Sequence, residues 1–172
     1  MKTGVLFIHG FTGGPFEVRP LVNYVRSKTD WLISVPTLPG HGVKLELRKA
    51  SANTWLMEAE LAIRKLTQQV DRVIVVGFSM GGLIAMYLAL RYKVDKLVLL
   101  SAAAKYISPR ILLGDLGILL TESIRKKYPP NTFYHLYDYK LTHTPFRATL
   151  EFLRIVKTVE PYYEQIQSPV CI

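Results

Sequence analysis

Apolar residues follow two different spacings along this chain. Short unbroken runs occupy 5–8, 32–36, 72–77 and 96–101, rich in Val, Ile and Leu. They alternate little, which predicts strands buried on both faces of a mostly parallel sheet. Between them the spacing becomes helical. Segment 16–28 places Val18, Leu21, Val22 and Val25 on one side. Segment 54–69 does the same with Trp55, Leu56, Ala59, Ala62, Ile63 and Leu66, and Asn53 is the expected N-cap. Segment 81–91 is small and apolar, as befits a helix packed under a sheet. Strands alternating with helices at these intervals predict βαβ units and an α/β fold with helices on both faces of the sheet.

After Ser101 the pattern breaks. Segment 105–167 carries Pro109, Pro129, Pro130, Pro145 and Pro161 among many aromatics. Helical stretches such as 148–159 are expected there, and strands are not. This reads as a helical cap inserted over one end of the sheet. Residues 168–172 then read as the opening of another buried strand. The expected organisation is a core over 1–104, a helical cap over 105–167 and the start of the next core strand at 168–172, with the C-terminal strands missing from this sequence.

Composition narrows the class. Of 172 residues, 49% are hydrophobic and 20% charged, a globular balance. No apolar run approaches the ~20 residues a membrane helix needs, so no integral membrane segment is expected. Residues 1–8 lack the long apolar region of a signal peptide, and the lone Cys171 has no internal partner. Both favour a cytoplasmic protein. The net charge of +9 is scattered and no nucleic-acid motif organises it, so a solvated basic surface is expected rather than nucleic-acid binding. Neither Gly-rich phosphate-binding fingerprint is present, and no metal or organic cofactor is implied.

Three motifs carry chemistry. Gly77-Phe78-Ser79-Met80-Gly81 fits G-x-S-x-G between an apolar strand and an apolar helix. A serine on so sharp a turn sits in a strained backbone, and side chains at the flanking glycines would collide with it. The turn lifts the Ser79 hydroxyl from the sheet, and the helix N-terminus stabilises developing negative charge. The competing explanation is a Gly-rich turn with a capping serine. The second motif, His9-Gly10-Phe11-Thr12-Gly13-Gly14, follows the first strand. Acyl transfer needs two N–H donors for the oxyanion; Met80 and Phe11 are the candidates. His9, at a strand end, suits a structural role. In the third motif, Pro39-Gly40-His41-Gly42, His41 is expected to bond backbone groups and shape the loop.

HGFTGGP, LPGHG and GFSMGG, in that order, resemble the carboxylesterase and monoacylglycerol-lipase branch of the α/β-hydrolases, especially small bacterial carboxylesterases. The resemblance implies Ser79 as nucleophile, the Phe11 and Met80 amides as oxyanion hole, and a lid whose aromatics line an acyl pocket. It implies short- to medium-chain carboxylic esters as substrates, monoacylglycerols among them.

The triad order of this fold is Ser, then Asp or Glu, then His. The acid would follow the strand beginning at Val170 and the histidine would come later, so both are expected to lie outside this sequence. His135 and His143 fall in the insertion and read as lid residues. Two readings follow: a serine carboxylesterase acting through an acyl-enzyme on Ser79, or a non-catalytic relic of the fold that binds a ligand or partner. An unfinished sheet would also expose the edge at 96–101 and invite a homodimer through strand pairing.

Overall fold

A computed structural model describes residues 1–102 and 144–172 of the chain. Its apolar runs form β1 (Thr3–Ile8), β2 (Leu32–Ser34), β3 (Arg72–Phe78) and β4 (Lys96–Leu100). A short β5 (Val170–Cys171) completes a five-stranded sheet of order β2-β1-β3-β4-β5. Every pairing is parallel. The helices are α1 (Pro15–Lys28), α2 (Ala52–Thr67), α3 (Met80–Arg91) and α4 (Phe146–Val159). Of the cap expected over 105–167, residues 105–143, with His135 and His143, lie outside the described residues.

The alternation of side chains along a strand divides the core in two. Leu6 and Ile8 of β1 face a large cluster built with α2, α3 and α4, whereas Val5 and Phe7 face Val18 and Val22 of α1. Helices therefore cover both faces. α4 is part of the larger cluster through Ala148, Phe152, Ile155, Val156 and Val159. Glu60 of α2 ties that helix to α3. Its carboxylate accepts from the Tyr87 hydroxyl at 2.7 Å and pairs with Arg91 at 3.0 Å. The Tyr87 hydrogen bond leads the causes that hold the Glu60 carboxyl below the usual range. Burial and then the carboxylate push the Tyr87 phenol up to about 12.

Four sequence expectations need correction. The N-cap of α2 is Ser51, not Asn53. The Ser51 side chain accepts from the Thr54 N–H and the Thr54 hydroxyl accepts from the Ser51 N–H at 3.0 Å, a reciprocal box that starts the helix at Ala52 and puts Asn53 inside its first turn. Residues 170–171 form a strand, but an exposed one, because no element among the described residues covers its faces or outer edge. β4 is not the open edge either, since Leu97 and Val98 pair with Val170 and Cys171. Among the described residues, the edge on that side belongs to β5. The second strand also stops at Ser34, short of Pro36, which has no N–H to give to a ladder.

Replacing Ser51 by Ala removes one half of the capping box. The expected cost is about 1 kcal/mol of stability, read as a lower urea midpoint with an unchanged m-value; a variant as stable as the parent would contradict this role for Ser51.

Candidate active site

β1 and β3 lie side by side in register as far as Ile8 opposite Gly77. From there the chain leaves in opposite directions, to β2 on one side and to β4 on the other. In parallel α/β sheets the crevice at such a switch point is where ligands bind. The loop of residues 9–14 and the turn into α3 meet at this point.

Ser79 connects β3 to α3 with φ 52° and ψ −117°, a conformation that costs a non-glycine residue about 1–3 kcal/mol. Its N–H donates to Leu100 O at 2.9 Å, which pins the turn to the end of β4. Ser79 occupies the N-cap position of α3, yet its side chain makes no capping hydrogen bond. The simple capping explanation of this serine therefore fails. Positive φ recurs at Thr12 (59°), in the loop after β1, and at Ser101 (47°), directly after β4.

The flanking glycines are required by close backbone approach. A Cβ on Gly81 would run into the carbonyls of Ile8 and His9, and one on Gly77 would meet the Gly81 carbonyl. The first turn of α3 thus rests directly on the end of β1. Gly10 brings the 9–14 loop against the same turn: a Cβ there would stand 3.3 Å from Ser79 Cβ and 3.3 Å from the Phe78 ring. Met80, the first residue of α3, is fully buried.

His9 is fully buried and both its ring nitrogens are engaged. Nδ1 donates to Gly10 O at 2.9 Å and Nε2 accepts from the Leu38 N–H at 3.1 Å. Burial lowers its pKa, partly opposed by the Gly10 hydrogen bond and the nearby Glu17 carboxylate. A neutral imidazole with no free nitrogen joins two loops; it is not placed to take a proton from Ser79. His41 Nδ1 donates to Pro39 O at 3.2 Å, and the His41 ring packs 5.2 Å from those of both His9 and Trp55. Phe11 is half-buried, and its ring stacks on Phe152 of α4 at 5.3 Å with 11° between planes.

Three contributors were not singled out from sequence. Glu17 of α1 accepts the Gly10 N–H at 3.0 Å. Trp55 sends its indole N–H to Pro39 O at 2.9 Å. Glu151 of α4, itself buried, accepts the Ala52 N–H at 3.1 Å and so sets Phe152 beside Phe11. Only Trp55 left a sequence signal, as a large residue on the buried stripe of α2. Among the described residues, no group of three or more His, Cys, Asp and Glu side chains is arranged to hold a metal ion.

The strained serine thus sits between a central strand of the parallel sheet and the helix that follows it. The family model described as the alpha/beta hydrolase family matches residues 5–167, and the chain belongs to that family. It is 37% identical over 87 residues to a thermostable monoacylglycerol lipase of Bacillus sp. (strain H-257), a match spanning 50% of this chain and 34% of that protein. Among solved structures, one from work on the metagenome-derived lipolytic enzymes LipS and LipT superposes with a TM-score of 0.74 at 23% identity, covering 98% of this chain and 70% of that one. A lipase-esterase related protein from Clostridium acetobutylicum gives 0.63 at 20% identity, covering 98% and 72%. No helix among the described residues is long and apolar enough to cross a membrane.

Gly81→Ala is expected to destabilise the fold by about 1–3 kcal/mol or more, because rigid backbone carbonyls cannot yield to the new methyl group; equal thermal stability would refute the close contact. His9 gives a pH signature. Its folded pKa is depressed from 6.5, so the neutral ring's contribution is present above 6.5 and declines as pH falls below it. Wild type should therefore lose more stability than His9→Gln between about pH 7.5 and about pH 5.5. Equal losses would show that His9 is not held neutral.

Proposed function

We propose that the chain carries the nucleophile and oxyanion half of a serine carboxylesterase. The observation that carries this reading is the Ser79 turn: positive φ, no capping hydrogen bond, and the N-terminus of α3 immediately behind it. Ser79 Oγ attacks the carbonyl carbon of an ester, and the Phe11 and Met80 N–H groups receive the charge that develops on the carbonyl oxygen. The C–O bond to the alcohol breaks, and the alcohol leaves with a proton. Water then attacks the acyl-Ser79 ester, releasing the carboxylic acid and restoring the hydroxyl. The general base is a histidine oriented by an acid in the whole protein; the stretch of this chain that matches the Bacillus relative covers 34% of that protein. His9 is not that base, because both its nitrogens are committed.

The aromatic surroundings of Phe11 favour an uncharged acyl group. Short- to medium-chain esters fit, and the Bacillus relative supports monoacylglycerols as one candidate class. Residues 105–167 are read as the cap over this pocket, and β5 as the start of the next core strand.

A second reading, a ligand-binding relic of the fold, draws on the commitment of His9 to structure. Hydrolysis of p-nitrophenyl butyrate by the whole protein, with Ser79→Ala alongside, separates the two. The esterase reading expects turnover that falls by about 10³-fold or more in the variant. Equal rates from both proteins, or no turnover from either, would favour the relic.

A further inference from the structure

We propose that Glu17 is a positioning residue whose carboxylate clamps the loop carrying the Phe11 amide and so sets the direction of the second oxyanion donor. The inference rests on the assignment of Phe11 to the oxyanion hole and adds the residue that holds it there.

Residues 10–13 form a tight turn, closed by the Gly13 N–H donating to Gly10 O at 3.3 Å. Phe11 and Thr12 are its two corners, and Thr12 takes a positive φ of 59°. Short turns of this kind gain little stability by themselves, and this one has a strained corner. What fixes it comes from outside. At one end, Glu17 Oε2 accepts the Gly10 N–H at 3.0 Å. At the other, the Glu17 carboxylate lies against Gly13, in the space a Cβ there would fill, and the Gly42 N–H donates to Gly13 O at 2.9 Å. One carboxylate therefore touches both ends of the turn. The Phe11 peptide lies between them and takes its orientation from both.

The clamp also sits close to the reacting centre. The Glu17 carboxylate oxygen and Ser79 Cβ are each 3.3 Å from the point where a Gly10 Cβ would lie. A shift of Gly10 would thus move the oxyanion loop relative to the nucleophile. Glu17 itself stands in the first turn of α1, where a negative charge is favoured by the helix dipole. A hydrogen bond from N–H to an ionised acceptor is stronger than a neutral one. A glutamine would keep an acceptor oxygen for Gly10 and lose only the charge.

Two readouts on wild type, Glu17→Ala and Glu17→Gln test the proposal. In amide hydrogen exchange, Glu17→Ala should speed exchange at Gly10 and Gly13 by about 10-fold or more while Leu6 and Val75 in the sheet stay protected, and Glu17→Gln should restore most of the protection. In ester hydrolysis, Glu17→Ala should lower kcat by about 10- to 100-fold with KM changed little, since a displacement of about 1 Å costs on this scale, and Glu17→Gln should recover most of it. An unchanged Gly10 amide in Glu17→Ala overturns the clamp, and so does a loss of protection spread evenly to Leu6 and Val75. Faster Gly10 exchange with an unchanged kcat overturns the positioning role. Exchange needs no turnover, so hydrolysis insensitive to Ser79→Ala, or absent altogether, would sink the esterase reading while the Gly10 amide still decides the clamp.

Discussion

The site depends on one constraint: the first turn of α3 lies backbone to backbone on the end of β1. Gly81 meets the carbonyls of Ile8 and His9, and Gly77 meets the carbonyl of Gly81. No side chain fits into either contact. With the helix held so close, the chain leaving β3 must turn within a single residue, and Ser79 absorbs the turn with φ 52°. The strain is borne because parallel pairing of β3 with both β1 and β4 fixes the strand before the turn and the packed core fixes the helix after it. The same contact directs the positive end of α3 toward the crevice.

Around this contact, buried polar groups join segments distant in sequence. His9 links the end of β1 to Leu38, Trp55 links α2 to Pro39, and Glu151 links α4 to the start of α2. Each satisfies a backbone group that would otherwise cost free energy on burial. Together they set the aromatic rings of His41, Trp55 and Phe152 around Phe11, with His9 packed on His41. A loop fixed by hydrogen bonds from several elements can hold an N–H in a chosen direction, which apolar packing alone does less well because it is non-directional.

Much of the frame was legible from local pattern. The four apolar runs became four parallel strands, and the apolar stripe Trp55, Leu56, Ala59, Ala62, Ile63 and Leu66 became the buried face of α2. These succeed because burial on a strand or helix imprints a period on the sequence. The N-cap of α2 was misplaced because Ser51 and Asn53 are both good caps by type, and the reciprocal bond with Thr54 selects Ser51. The exposure of β5 was missed because a run such as Pro-Val-Cys-Ile looks the same whether or not a neighbour covers it.

The sequence by itself determined the order of strands and helices, the parallel α/β class and the glycine-flanked serine, since each is written in contiguous residues whose types have few other conformations open to them. The tertiary structure alone decided which neighbours those residues meet. Glu17 and Glu151 read as ordinary helix-surface acids until the fold places one on the Gly10 N–H and the other on the Ala52 N–H. Phe152 stacks on Phe11 across a gap of more than a hundred residues, and His9 loses its availability as a base only through Leu38. Such pairings are set by the closing of distant segments over one core, and no periodicity along the chain records them.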